Sequence, residues 1–145
     1  MSNTFGFQEF IKKINATQQK IDNAIDETLE ESATECVAET QARTPVKTGA
    51  LRRSWNHSEV KVEGKKHTIE IGSPLEYAPF VENGHKQEKG KYVAAIGKKL
   101  VKEYVPGKHM LQDSLTIAKA GLEGKLKAKL REIKWYNMLI CYIVS

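Results

Sequence analysis

The segment TPVKTGALRRSW, residues 44–55, divides the chain into two kinds of pattern. Before it, apolar residues recur at spacings of three, four and seven, which predicts one long amphipathic helix at about residues 7–43. Pro45 ends this helix because proline has no amide donor and pushes the residue before it out of the helical region. Pro45 and Gly49 then set a sharp turn, after which Leu51 re-enters the core.

The predicted helix is roughly 50 Å long at the usual rise per residue, which is more than a domain of this size needs to cover its own core. Two interpretations follow from this length. Either part of the helix packs on a neighbouring subunit, or the helix kinks or lies across its own domain. The pattern does not separate the two.

The residues after the turn alternate as strands do. Residues 54–62 are rich in strand formers but change phase between Trp55 and Val60, so we expect a bulge in this strand. Residues 67–71 alternate strictly, and Gly64 lies between the two runs. The sequence therefore predicts a β-hairpin with one buried face.

Proline and glycine divide the next segment. Residues 73–76 combine a capping serine, a proline and a glutamate, which predicts the start of a helical turn, and residues 80–83 form one more turn closed by a glycine. Residues 85–91 are polar and predict a loop. Residues 92–105 fit either a helix face or a second hairpin, and we favour the hairpin. A second amphipathic helix is expected at about residues 109–134.

The composition is that of a soluble globular protein. The chain has 145 residues, which suits one domain, and a formal net charge of +5. Basic residues are concentrated in residues 119–134, which indicates either a solvated helix face or DNA contact. Cys36 and Cys141 are too few for a disulfide framework, so the sequence favours a reducing intracellular compartment.

Neither end of the chain predicts a membrane or export signal. The N-terminal residues lack a basic region followed by an apolar stretch. The apolar run at residues 135–144 is about half as long as the ~20 residues that a membrane-spanning helix needs. It can be a packed terminal strand, an oligomer contact or a non-native tail.

No arrangement of residues predicts catalysis. A glycine-rich phosphate loop, HExxH, Cys-x-x-Cys and Gly-x-Ser-x-Gly are all absent from the sequence. The four histidines have no spacing that predicts a metal site, and Glu76 and Glu82 are better explained by capping and surface ion pairing than as an acid/base pair. We therefore predict no enzyme activity, no cofactor and no metal.

Three segments in order carry a resemblance: residues 44–55, residues 77–85 (YAPFVENGH) and residues 105–111 (VPGKHML). They resemble the HK97 gp10-like family of phage tail-component and head-tail joining proteins, with its Pro-Val-x-Thr-Gly-x-Leu-Arg-x-Ser, Tyr-Ala-x-x-Val-Glu-x-Gly and Pro-Gly-x-x-Met-Leu blocks. The resemblance covers roughly residues 7–134. Lys47 stands where the family often has an acidic residue, and the stretch between the second and third blocks is longer than in compact members.

The resemblance implies one domain at residues 1–134, followed by an apolar C-terminal tail of uncertain role at residues 135–145. We expect an α+β fold in which a twisted antiparallel sheet of three to five strands packs against a long N-terminal helix and a C-terminal helix.

The implied function is structural: head-tail joining, or tail completion, at the neck of a phage or prophage virion. The chain would form a homo-oligomeric ring that docks onto the head connector and tail proteins, with passing contact with DNA and none with a membrane. It would be found in the bacterial host cytoplasm during assembly, and in the virion neck or tail. The alternative is a basic nucleic-acid-binding module, and a small hydrolase using a histidine ranks last.

The sequence also suggests which residues make contacts. We expect Arg52 or Arg53 to pair with a carboxylate such as Glu82, either to stabilise the fold or to bind a partner. The loop at residues 85–91 and the basic last helix are the expected partner-facing or channel-facing surfaces. The candidate partner or subunit contacts are Arg52, Arg53, Glu82, His85, Lys86, Lys89, Lys108, Lys125 and Lys129.

Overall fold

Two long antiparallel helices form the frame of the molecule in a computed structural model. The structure describes residues 7–47 and 49–143, with side chains up to residue 133. Helix α1 spans Phe7–Arg43, which confirms the predicted bounds, and helix α4 spans Met110–Ile143. The contact between these two helices is the most extensive between any two described elements.

Small side chains line the buried face of α1. They are Ala24, Thr28, Ser32, Ala33, Cys36 and Thr40. The hydroxyl groups of Thr28 and Thr40 donate hydrogen bonds to backbone carbonyls one turn earlier, at 2.6 and 2.7 Å, so these polar residues are buried without losing a partner. By contrast, Phe10, Ile14 and Ile21 near the start of the apolar stripe are exposed.

A short helix and a hairpin follow α1. Helix α2 is Ala50–Ser54, and the strands are β1 (Asn56–His57), β2 (Lys61–Glu63), β3 (Lys66–Thr68) and β4 (Ile71–Gly72). The register pairs His57 with Ile71 and Lys61 with Thr68, so three residues of the first strand face two of the second. This extra residue is the predicted bulge, and both the hairpin and its bulge are confirmed.

Helix α3 spans Ala78–Asn83 and carries Pro79 in its first turn, where a missing amide costs nothing. The helical turn expected from residue 73 begins later, at Ala78, although the hydroxyl of Ser73 accepts a hydrogen bond from the Leu75 amide at 3.2 Å as a capping serine does. Gly84 follows α3 with φ of 81°.

Residues 84–106 form one long two-stranded hairpin, which we call the arm. Strand β5 (Gly84–Lys86) pairs with β8 (Tyr104–Pro106), and β6 (Tyr92–Val93) pairs with β7 (Lys98–Lys99) around a 3-10 turn at Ala94–Ile96. The second hairpin that we favoured is therefore confirmed. The loop expected at residues 85–91 is wrong for residues 85–86, which belong to β5; residues 87–91 are not strand, although the amides of Gln87 and Gly90 donate hydrogen bonds across the arm to the carbonyls of Glu103 and Leu100.

The prediction of one twisted sheet of three to five strands is wrong. The described strands form four separate two-stranded antiparallel ladders. Each strand has two or three residues and pairs within its own hairpin, so neither hairpin offers a long edge to the other. The fold is α+β, but the packing of α1 on α4 takes the place of a central sheet.

Helix α4 is longer than the predicted helix at residues 109–134. Its backbone continues to Ile143, so a packed terminal strand at residues 135–144 is wrong. The side chains of residues 134–143, and residues 144–145 entirely, lie outside the described part of the chain, so an oligomer contact or a non-native tail stays a prediction.

Candidate functional site

The three sequence blocks come together at one place, which we call the motif junction: residues 44–55, 77–85 and 105–111. Leu51, Trp55, Ala78 and Met110 form a buried apolar cluster there. Each block contributes at least one of these four side chains, so the junction is held by burial of apolar surface from all three. Thr48 of the first block lies outside the described residues.

The first block is fixed by hydrogen bonds to the end of α1. The indole Nε1 of Trp55 donates to the Thr44 hydroxyl at 2.9 Å, and that hydroxyl donates to the Thr40 carbonyl at 2.6 Å. Gln41 Nε2 donates to the Trp55 carbonyl at 3.3 Å. The buried tryptophan therefore satisfies its polar atom by binding the residue at which the helix ends.

Glu82 caps helix α4. Its side chain is buried, and its two carboxylate oxygens accept hydrogen bonds from the amides of Leu111 and Gln112 at 3.1 and 2.9 Å. Its backbone carbonyl accepts from the His109 amide at 3.1 Å. A carboxylate at a helix N-terminus satisfies free amides and opposes the positive end of the helix dipole. The second block thus positions the helix that follows the third.

The expected pairing of Glu82 with Arg52 or Arg53 is not present. Arg52 Nη2 donates to the Thr44 carbonyl at 3.2 Å, and the Arg53 guanidinium lies against Gly49. The Glu82 carboxylate binds backbone amides instead. A sequence pattern cannot indicate this contact, because every residue except proline has a backbone amide donor. Whether the two arginines contact a partner stays a prediction.

Two glycines allow the second and third blocks to touch. A Cβ on Gly107 would lie 2.2 Å from the Glu82 carbonyl oxygen, and a Cβ on Gly84 would lie 2.4 Å from the Val105 carbonyl oxygen. Real Cβ atoms do not approach backbone this closely, so both positions require glycine. The contact fixes the base of the arm, where Tyr104 Oη also donates to the Asn83 carbonyl at 3.2 Å.

The arm itself is exposed and basic. Between residues 88 and 102 only Val93 and Leu100 are partly buried. Six lysines and two glutamates give residues 84–106 a formal charge of +4, which is most of the net charge of the chain. His85 at its base meets Phe80 edge to face, with ring centroids 6.1 Å apart. The arm carries three predicted contact residues, His85, Lys86 and Lys89, and Lys108 follows it directly.

Two of the predicted contact residues on the basic last helix, Lys125 and Lys129, have side chains that contact α1. Lys129 Nζ lies 2.8 Å from Glu31 and 3.3 Å from Glu27, and Lys125 pairs with Glu35, so both bind carboxylates of α1. The hydrogen bond to Glu31 is the main cause that raises the pKa of Lys129. These lysines hold α4 on α1 and do not present free cations.

An apolar groove opens beside the motif junction. Its volume is about 400 Å³, and we call it the junction groove. Val46 and Tyr77 at its edge are 57% and 44% exposed, although both belong to the motif blocks. Exposed apolar side chains that are grouped around a groove are typical of contact surfaces. The lining residues are Pro45, Val46, Lys47, Gly49, Leu51, Tyr77 and Val81.

Two titratable side chains on or beside α1 have structural surroundings. The His67 side chain is only 7% exposed, and its Nδ1, 2.6 Å from Asp26 Oδ1, tethers the hairpin to α1, while its Nε2 lies 3.9 Å from Asp22. Burial raises the pKa of the Cys36 thiol, which keeps it protonated. Among the side chains that the structure describes, in residues 7–47 and 49–133, no three His, Cys, Asp or Glu residues are grouped closely enough to hold a metal ion.

The described helices include none that is long and apolar enough to span a membrane.

Among known protein families, the model described as "Bacteriophage HK97-gp10, putative tail-component" matches residues 8–84. That description is of a structural part and not of an enzyme. The match covers α1, the first hairpin and α3, and it ends where the arm begins. No curated protein and no solved structure matches the chain.

Proposed function

Because this chain belongs to the HK97-gp10-like family of bacteriophage tail components, we propose that it completes the tail at the head-tail junction. In this role a ring of copies docks onto the head connector on one side and onto tail proteins on the other. The family membership carries the proposal. The protein is then present in the bacterial host cytoplasm during assembly, and in the neck or tail of the finished virion.

The junction groove supports a docking role. Val46 and Tyr77 come from two different motif blocks, and both lie exposed at the groove edge. Packing explains why a fold needs Leu51, Trp55 and Met110, but it does not explain exposed apolar residues in the same motifs. Contact with another virion protein explains these exposed apolar residues, because the contact removes their apolar surface from water.

The construction of the motif junction also suits a geometric role. The capping of α4 by Glu82 and the close approach at Gly107 fix the directions of α4 and of the arm relative to α1. A component that joins two larger assemblies needs surfaces held at set angles, and specificity then comes from complementary shape and charge.

The alternative of a nucleic-acid-binding module has less support. It was predicted from the net charge and from the basic residues of the last helix, and Lys125 and Lys129 of that helix are engaged by α1. Most lysines of the arm are available to phosphate, but they stand beside exposed apolar side chains that phosphate does not contact. We therefore keep DNA in the proposal only as a passing contact inside the assembled neck.

Deletion of the gene from an inducible phage genome tests the proposal. Electron microscopy should show filled heads and separate tails, and the chain supplied in trans should restore joined virions. Val46→Asp should fold normally, because the side chain is exposed, but should fail to restore joining. Ile117→Asp, at an exposed position on α4, is the matched control and should restore it. Joined, infectious virions made without the protein would exclude this function.

A further inference from the structure

The arm and helix α1 carry opposite charges. The arm has a formal charge of +4, and Lys91 is its one lysine in an ion pair among the described residues, with Glu88 at 3.0 Å. Helix α1 has seven acidic residues and no basic residue within residues 22–39, which we call the acidic segment. The arm therefore has unpaired cations, and α1 has a long run of carboxylates.

The cations of the same molecule only partly neutralise the acidic segment. Lys125 and Lys129 bind three of its glutamates and Arg43 binds Glu39, yet these four glutamate side chains stay 45% to 67% exposed. Glu30 is exposed and makes no ion pair within the described part of the chain. The outer face of α1 therefore keeps a surplus of negative charge that a further cationic surface can neutralise.

An apolar groove lies next to the acidic segment, between α1, the first hairpin and α4. We call it the hairpin groove; its volume is about 390 Å³, and its apolar lining includes Leu29, Ala33, Ile69, Leu115 and Leu122. His67, which also lines it, is bonded to Asp26 of the acidic segment. An apolar depression and carboxylates thus stand side by side.

The end of the arm has the matching combination. Val101 is 79% exposed, and Ile96 and Tyr92 are also exposed. Lys98 and Lys99 lie between these apolar positions in the sequence and are exposed too. The arm therefore presents apolar side chains beside cations, which is the complement of the hairpin groove beside the acidic segment.

We propose that the arm of one copy docks onto a second copy of this chain. Ile96 and Val101 enter the hairpin groove of the neighbour, and Lys98 and Lys99 face its acidic segment. The two surfaces differ, so the contact is head-to-tail, and a head-to-tail contact closes into a ring when the rotation between copies allows. This inference rests on the proposed function for its role in the neck, while the contact itself is argued from the two surfaces.

A second copy fits these observations better than DNA. Phosphates would satisfy the lysines, but they offer nothing to Val101 and Ile96. DNA would also leave the acidic segment without a counterpart. Association with a second copy uses both charged surfaces and covers the apolar side chains at the end of the arm.

Sedimentation velocity on the purified full-length protein tests the inference across a range of concentrations and salt. K98E/K99E and I96S/V101S change only exposed side chains, so each should fold and should weaken self-association by about tenfold or more. The matched controls are K65E/K66E, which reverses two adjacent exposed lysines on the first hairpin, and I117S. Both should associate as the unmodified chain does.

Charge exchange gives a more specific readout. E30K reverses the charge of an exposed residue of the acidic segment that makes no ion pair within the described part of the chain, so this variant should associate more weakly alone and should regain association when combined with K98E/K99E. The inference is wrong if the unmodified chain stays monomeric, if the arm variants associate normally, or if the arm lysines serve only salt-dependent binding of duplex DNA. If one of these results is obtained and heads and tails still fail to join without the protein, the inference is wrong but the proposed function is not contradicted.

Discussion

Removal of the Glu82 carboxylate should destabilise the protein more than any other single change to a charged residue of the motif junction. Its two oxygens accept hydrogen bonds from the amides of Leu111 and Gln112, and the side chain is buried. A hydrogen bond to a charged group contributes about 1.5 kcal/mol or more. Glu82→Ala loses both bonds and leaves the first turn of α4 uncapped, so we expect a loss of about 3 kcal/mol in the free energy of unfolding.

Glu82→Gln separates charge from shape. Glutamine keeps one acceptor oxygen in nearly the same volume but has no charge to oppose the helix dipole, so a loss of about 1 to 2 kcal/mol is expected. At roughly 3 °C per kcal/mol for a chain of this size, Glu82→Ala should lower the melting temperature by about 9 °C. Urea unfolding followed by circular dichroism measures both variants.

Two controls make the result specific. Glu76→Gln removes an exposed carboxylate from the segment before α3 and should change stability by less than about 0.5 kcal/mol. Arg52→Gln tests the ion pair that the sequence suggested. Because Arg52 reaches the Thr44 carbonyl and not Glu82, its loss should cost less than about 1 kcal/mol.

The effect should also be local. Hydrogen exchange of the Leu111 and Gln112 amides should accelerate in Glu82→Gln more than exchange in the middle of α1, because these amides lose their charged acceptor. Stability of Glu82→Ala within about 0.5 kcal/mol of the unmodified chain would refute the reasoning. So would an equal loss in Arg52→Gln and Glu82→Gln, since that result would point to an ion pair.

Two further outcomes follow from other contacts. Gly107→Ala should cost about 1 to 3 kcal/mol because the new Cβ meets the Glu82 carbonyl. Gly121→Ala, with open space around it in α4, should stabilise the protein by about 0.5 to 1 kcal/mol, and thermal unfolding that moved both variants in the same direction would contradict this. Lys129→Gln should cost about 0.5 kcal/mol near neutral pH. The pKa of Lys129 is raised in the fold, so its contribution is present below the ordinary lysine value and lost as pH rises through the raised value. The stabilities of the two proteins should therefore converge as pH rises above the ordinary lysine pKa, and a difference that grew with alkaline pH would contradict the assignment.

Local patterns predicted much of the fold. The bounds of α1, the first hairpin and its bulge follow from apolar spacing, proline and the change of phase after Trp55. These features depend on residues close in sequence, whose spacing reflects the helical or strand period directly. The family was also recognisable, because its blocks are short segments rich in glycine and proline.

The assembly of these pieces was less predictable. A single sheet was expected. Its formation depends on whether hairpins that are distant in the sequence meet edge to edge, and the residues of strands this short, two or three each, do not indicate whether they meet. The polar run at residues 85–91 was predicted as a loop because the residues to which its backbone is hydrogen-bonded, within 100–105, lie across an intervening turn.

The candidate site divides in the same way. Residue types near one another in the chain were sufficient to mark the turns, the helices and the three blocks, since glycine, proline and apolar periodicity act over a few residues. The role of Glu82 and the pairing of Lys125 and Lys129 with α1 required the folded molecule, because each joins positions about 30 to 100 residues apart. The sequence identified which residues carry charge. Because ion pairs and hydrogen bonds form between residues that are close in space, only the packing of α4 on α1 determined which of those charges are paired.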